Sequence, residues 1–412
     1  MKRYLITAML ALSGMLFAGQ YSLDNLIEAG LENSFSVRQK QILLQNARLE
    51  VRSAGWNLLP SADLAASRTN RDGNYSSNGS LEFARTFSLT EPSYFAYQNA
   101  RLDKSIARLD VLQTRKELVY KVYAAWLDLA QLQKEIAIQN ENLALVQKTR
   151  EQTELQKNLG QKTVYDVSQS EINVINARLA INELQNQAAA KKAELLQMVK
   201  LNEADAEISF DNADSLDINL RFADAETSSL TLEQLRQSIR QSRLSKLQSK
   251  LGIFPSLYVS GSYGQHAVNN DILDFTGYDD SYTLAAGFSW SLWSPWTKGG
   301  NYTQSANSLM LKEWQMEEDT ANLKLDQANL MRDWSYLQET LALNSRKSAQ
   351  AKDNLRIARE KYSLGTLSYI ELEQARVNAL DAELAVIKIT FQLKKKIQEW
   401  NLLNSLPILD KY

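Results

Sequence analysis

The chain has no cysteine and a single histidine, His266. Without thiols there is no disulfide framework, thiol nucleophile or thiolate metal site. One histidine excludes histidine metal clusters and most histidine general-base schemes, so His266 reads as a lone surface residue. A surplus of one charge is missing too: 46 Lys and Arg stand against 48 Asp and Glu. A nucleic-acid binder would show a basic excess, so no nucleic-acid partner is expected. Beyond the N-terminus no run of eighteen apolar residues exists, which removes a membrane-spanning helix. A Gly-rich phosphate loop and metal-ligand spacing are also absent. No cofactor, no metal and no catalysis are therefore expected, and an envelope hydrolase has little support.

At the N-terminus, Lys2 and Arg3 precede a nearly continuous apolar run, Tyr4 to Phe17, closed by Ala18-Gly19-Gln20. A positive start, an apolar centre and small residues at the end make a secretory signal over residues 1–19. The alternative is a buried first helix. No cysteine follows, so no lipid attaches there. An exported chain without a spanning helix enters a bilayer only through β-strands.

Helix breakers are scarce and clustered. Of the five prolines, Pro60, Pro92, Pro255 and Pro295 bracket two short regions, and Pro407 stands near the end. Between Gly79 and Gly252 the only glycine is Gly160, and after Gly300 the only one is Gly365. Glycine and proline are the costliest residues in helix interiors, so the stretches between them are free to be long helices. Residues 93–159 would span about 100 Å as one helix, and 302–364 about 95 Å. Apolar positions recur three and four apart, as in Val119, Tyr123, Trp126 and Ala130. Helices of this length need neighbours of similar length, as in a bundle or coiled-coil wall.

The bracketed regions alternate instead. Leu81, Phe83, Phe87 and Leu89 interleave with Ser80, Glu82, Ala84, Thr86 and Ser88. Tyr282, Leu284, Ala286, Phe288, Trp290 and Leu292 interleave with Thr283, Ala285, Gly287, Ser289 and Ser291. Leu257, Val259 and Tyr263 give a third strand; Ala62, Leu64 and Ala66 give a weaker fourth. Period-two alternation with one small or polar face marks a membrane barrel. It also fits an antiparallel sheet in water. Arg85 interrupts the apolar face, as a residue at an interface or a bulge would.

The chain also repeats itself. Pro60-Ser61 recurs as Pro255-Ser256 and Leu159-Gly160 as Leu364-Gly365. An offset of 205 superposes Gln169 on Gln374, Asn173 on Asn378 and Ala177 on Ala382. Two structural repeats are expected, over 20–226 and 227–412. The first holds a helix from Ser22 to Leu59, a hairpin 61–90, a long helix 93–159, a helix 164–200 and an acidic connector 202–226. The second holds a shorter helix from Thr231 to Phe254, a hairpin 256–293, a long helix 302–364, a helix 369–405 and a short tail. Four strands cannot close a barrel, and the bilayer tolerates no open edge. Several chains must share one barrel, and three would supply twelve strands around an aqueous lumen.

Here the chain resembles the TolC family of outer-membrane efflux proteins, from about Leu23 to about Leu406. The matching residues are the opening Ser22-Leu23-Asp24-Asn25-Leu26 and Leu58-Leu59-Pro60-Ser61. With them come the hairpin exits Phe87-Ser88-Leu89 and Trp290-Ser291-Leu292-Trp293-Ser294-Pro295, and the turns that begin at Asn158-Leu159-Gly160 and Tyr362-Ser363-Leu364-Gly365. The resemblance implies a mainly α fold with membrane β: a homotrimer with a shared twelve-stranded barrel on a periplasmic α-helical tunnel. It implies an outer-membrane location in a Gram-negative-type bacterium. A periplasmic adaptor (membrane fusion) protein and an inner-membrane pump of RND, ABC or MFS type would be the partners, in efflux or type I secretion. A second reading keeps the sheets in water, as in a periplasmic coiled-coil adaptor or another structural envelope protein.

The resemblance also places the paired turns at the tunnel's periplasmic tip. Asp166 and Glu371 occupy matching gate positions, Tyr362 matches an aromatic that holds the tip, and Gln374 stands where a second acid is usual. Leu367 replaces a basic residue. A symmetric ring of carboxylates would favour cations. The residues alone give a plainer account: Thr163 with Asp166, and Ser368 with Glu371, look like capping boxes. Gly160 and Gly365 look like left-handed helix ends. Both roles can coexist. Trp290, Trp293 and Trp296 would form an aromatic girdle at the outer-membrane lipid interface, or simply pack. The connector has strand-like pieces at 206–210 and 218–222. The resemblance makes it part of a belt around the helices, whereas each of its acids alone reads as a solvated face.

Overall fold

The structure, a computed structural model, describes residues 20–71, 74–88, 91–201, 207–210, 213, 229–267, 278–290 and 293–411. The signal segment and most of the acidic connector, including 218–222, lie outside them.

Two short strands, β1 (Gln20–Tyr21) and β4 (Glu207–Ile208), pair in parallel. Helices α1 (Leu23–Asn33) and α2 (Phe35–Trp56) follow β1. The single opening helix expected from sequence is thus broken at Ser34, which is extended (φ −63°, ψ 128°). The first hairpin is β2 (Ser61–Arg71) and β3 (Asn74–Ser88), followed by α3 (Pro92–Asn158) and α4 (Val164–Val199). The second half runs α5 (Leu230–Leu251), β5 (Ser256–Ala267), β6 (Tyr278–Ser289), α6 (Ser294–Ser363) and α7 (Tyr369–Leu403). A 3₁₀ turn at Ile408–Asp410 closes the chain. Helix α6 begins at Ser294, eight residues before the expected Tyr302. Pro295 sits in the first turn, where its missing N–H costs nothing. Gly299 and Gly300 are carried inside the helix.

The chain divides into two compact units. One comprises residues up to 38, 114–228 and 323–412. Its largest core joins Leu26 and Ile27 of α1, Tyr123, Trp126 and Leu127 of α3, Leu195 of α4 and Phe391 of α7. The Trp126 indole donates to the Ser209 carbonyl at 3.1 Å and stacks on Phe210 at 5.7 Å. Buried Lys394 donates to the Ala213 carbonyl. Lys116 donates to the Ser405 and Leu406 carbonyls, at 2.7 and 2.9 Å. One buried and one half-buried ammonium group are thus satisfied by backbone oxygens and hold irregular chain against helices.

The other unit comprises 39–113 and 229–322. It contains one antiparallel sheet of order β2-β3-β5-β6. The register puts Leu64 opposite Leu81, Phe83 opposite Tyr263, Phe87 opposite Val259, Tyr263 opposite Tyr282 and Leu257 opposite Phe288. All the apolar alternates therefore share one face. Ser61, Glu82, Thr86, Ser260, Ser262 and Thr283 share the other. Among the described residues nothing covers the apolar face: Leu64, Tyr282, Leu284 and Phe288 are 82, 87, 80 and 72% exposed. Arg85 lies on that face near the sheet's helical end. It donates to the Asn57 carbonyl at 3.0 Å, pairs with Glu91 at 3.6 Å and lies 5.1 Å from the Phe87 ring. The exception in the pattern is a tie between the strand and the chain segments below it. Strands β2 and β6 each have one edge without a partner among the described residues. No described helix is long and apolar enough to cross a membrane.

Candidate functional site at the paired helical turns

The α3–α4 and α6–α7 turns are built alike, atom for atom. Gly160 and Gly365 both have positive φ, +73° and +74°, in the left-handed region that glycine enters without penalty. In each turn two amides reach back over the helix end. Gly160 N–H bonds Lys157 and Gln161 N–H bonds Gln156, both at 2.9 Å; Gly365 bonds Tyr362 and Thr366 bonds Lys361, both at 3.0 Å. This double closure satisfies carbonyls that a helix end leaves open.

The next helix starts with a reciprocal cap. Thr163 donates to Asp166 through its amide at 2.9 Å and its hydroxyl at 2.8 Å, and the Asp166 amide donates back at 3.2 Å. Ser368 and Glu371 repeat this at 3.0, 2.7 and 3.3 Å. Hydrogen bonds from Ser368, side chain before backbone, hold the exposed Glu371 carboxyl below its usual range, with help from Lys361. Both expected gate carboxylates thus spend acceptor capacity inside their own turn. Their other lone pairs stay available, so capping does not exclude a lumenal role. Gln374 is exposed and donates along its own helix to Asn378 at 3.0 Å.

Behind the turns lies a small core: Ala358, Tyr362, Tyr369 and Leu372, with Leu355, Leu367 and Ala375 at its margin. Leu367, at the position where the resemblance expected a basic residue, packs here instead. Tyr362 is almost fully buried, and its hydroxyl lies 2.8 Å from Thr153 Oγ1 on α3. Thr153 gives its one hydroxyl proton to the Thr149 carbonyl at 2.8 Å, so the phenol is the donor and Thr153 the acceptor. Tyr369 packs edge-on against Tyr362, with ring centroids 6.2 Å apart, and accepts from Asn173 of α4 at 2.8 Å. Lys162 caps the cluster, its ammonium 4.6 Å from the centre of the Tyr362 ring. Burial, more than the nearby carboxylates, raises both phenols' pKa. Both phenols therefore stay neutral donors or acceptors throughout the physiological range. Their contribution is complete below the ordinary tyrosine range and is lost only as pH rises through the raised values.

One turn further in, Arg376 of α7 holds Glu373 at 2.7 Å and donates to Asn142 of α3 at 2.6 Å. Arg376 and Asn142 border a cleft of about 260 Å³ between α3, α6 and α7, which also carries Lys352, Arg356 and Arg359 beside Glu141 and Glu383. Sequence reasoning singled out Tyr362 but not Thr153, Asn173, Arg376 or Asn142. The contacts Thr153–Tyr362, Asn173–Tyr369 and Arg376–Asn142 each join residues about two hundred positions apart, and no local pattern marks such a partner on a long helix.

The three tryptophans lie at the sheet's helical end. Trp290 donates to the Ile253 carbonyl at 3.2 Å. Trp293 and Trp296 pack at 5.9 Å and are three-quarters exposed. Among the described residues no group of three or more acidic or histidine side chains could hold a metal.

No protein-family model matches the chain, and no curated protein does. Solved structures do match. The outer membrane protein VceC from Vibrio cholerae superposes with a TM-score of 0.81 at 17% identity, covering 94% of this chain and 96% of that one. CusC, described with transmembrane channel formation, gives 0.80 at 15%, covering 92% and 91%. The MtrE outer membrane channel of Neisseria gonorrhoeae, solved in an open state, gives 0.74 at 16%, covering 93% and 88%.

Proposed function

From the premise that the chain has the fold of these outer-membrane channels, we propose that it is the outer-membrane exit duct of an export system. Three copies share a twelve-stranded barrel, and their helices continue its lumen into the periplasm. The duct conducts passively what an inner-membrane pump and a periplasmic adaptor deliver, in tripartite efflux or type I secretion. The observation that carries this reading is the sheet: among the described residues it has four strands, two open edges and an uncovered apolar face. In water that face and those edges would aggregate. In a bilayer, with like copies at each edge, both are satisfied.

The alternative, an envelope protein with its sheet in water, needs something to cover Leu64, Tyr282, Leu284 and Phe288, and the described residues supply nothing. The test is fractionation followed by reconstitution. The protein should leave the envelope only with detergent and should conduct ions in planar bilayers once the turns are opened. Recovery in the aqueous periplasmic fraction would refute the reading. Replacing Asp166 by Asn and Glu371 by Gln together should lower the pore's cation preference. Unchanged selectivity would leave these two residues with capping alone.

A further inference from the structure

Two exposed apolar stripes, one on α2 and one on α6, lie on the helices that adjoin the two open sheet edges. On α2, Lys40 pairs with Asp110 of α3 at 2.8 Å, and Leu44, Ala47 and Val51, on the same side of the helix, are partly or fully buried. Ile42, Leu49 and Trp56 recur every seven residues on the other side, about 170° away at 100° per residue. All three are more than half exposed. On α6, Leu309 packs on Leu235 and Ile239 of α5. Trp296, Leu311 and Trp314 project from the opposite side, again more than half exposed.

The strand order says what covers them. Helix α2 leads into edge strand β2, and β6, the other edge strand, leads into α6, each across a link of residues 57–60 or 290–293. When β6 of one copy pairs with β2 of the next, α6 of the first must run beside α2 of the second. Ile42 stands 14 residues before the end of α2, and Leu311 stands 17 residues after the start of α6. The two levels agree to within about one helical turn. Beside Leu49 the facing stretch of α6 carries Gly299 and Gly300, and outside their own helix no described residue lies within 4 Å of a Cβ at either. Paired glycines weaken a helix interior and gain nothing within this chain. A neighbouring helix carrying large side chains gives them a use, because only glycine lets it approach closely.

We infer that the α2 stripe Ile42, Leu49 and Trp56 docks on the Trp296, Gly300, Leu311 and Trp314 face of α6 in the neighbouring copy. This forms a helical seam that selects like subunits below the barrel. The seam rests on the shared-barrel reading but adds to it the side chains that recognise the partner.

The cysteine-free chain permits a clean test. The variant Ile42→Cys with Leu311→Cys, treated with a short bismaleimide in detergent-solubilised membranes, should give covalent ladders ending at three copies. Ala47→Cys with Leu311→Cys, on the α3-facing side, should give none. Gly300→Leu should leave helical content intact and reduce the trimer fraction at least tenfold. A trimer by native mass that shows neither the ladder nor the Gly300 effect would overturn the seam and spare the shared barrel. A stable monomer would overturn both.

Discussion

The Tyr362–Thr153 contact gives an unequal pair of substitutions. Tyr362→Phe removes the donor, but Thr153 keeps its own bond to the Thr149 carbonyl, so only one net hydrogen bond is lost. That costs about 0.5–1.5 kcal/mol. Thr153→Val removes the acceptor and strands a phenolic O–H inside a buried cluster, which costs about 1–3 kcal/mol. Local opening of the turn should therefore rise about 2- to 13-fold in the first variant and about 5- to 160-fold in the second. Amide hydrogen exchange of residues 358–369, measured by mass spectrometry on the detergent-solubilised protein, reads this opening directly. The double variant leaves no orphaned hydroxyl, so it should exchange more slowly than Thr153→Val alone. If the double variant opens faster than Thr153→Val, the donor assignment is wrong and the contact is not what holds α6 to α3.

Three further perturbations follow from the geometry. Gly160→Ala or Gly365→Ala places a Cβ in open space but at φ near +74°. Each should loosen its turn by about 1–2 kcal/mol, visible as faster tryptic cleavage there. Ser368→Ala removes both the cap and the main cause of the depressed Glu371 carboxyl. The Glu371 titration, followed by NMR, should move up towards the ordinary glutamate range, with the Ser368 amide and Lys361 still holding it partly down. Because a lowered carboxyl stabilises above the unfolded value and ceases to do so as pH falls through the folded one, the wild-type turn should loosen on acidification more than the variant does. Leu284→Arg, on the uncovered sheet face, should cost about 2–4 kcal/mol if that position meets the bilayer midplane. The assay is folding into lipid vesicles across a denaturant series, and an unaffected midpoint would mean the face does not see lipid.

Much of the fold was legible because breakers are rare here. Pro60 and Pro255 mark where helices give way to strands, Pro92 and Pro295 where strands give way to helices, and Gly160 and Gly365 where long helices turn. The alternation through Leu81–Phe87 and Tyr282–Phe288 identified the apolar face correctly, and the register then collected four such faces into one. The start of α6 was missed because Gly299-Gly300 reads as a break. Two glycines cost a helix about 2 kcal/mol, which a 70-residue helix tolerates. The break at Ser34 was missed for the converse reason: the apolar spacing continues through it, and only the backbone shows the kink. The turns' caps were readable because Thr163–Asp166 and Ser368–Glu371 are local. The Tyr362–Thr153 and Tyr369–Asn173 contacts were not, since each joins residues that the chain separates by two long helices. Glu207–Ile208 lies inside the strand-like piece read at 206–210, but its pairing with Gln20–Tyr21 was hidden likewise, since the two segments are far apart in sequence.

The claim beneath all of this is that four strands are a fraction of a closed barrel. Native mass spectrometry of the protein released from mild detergent counts the copies in that barrel. Three copies per particle, dissociating only together with loss of β-structure, is the predicted result. A single copy that retains its β2–β6 sheet outside lipid and detergent would contradict it.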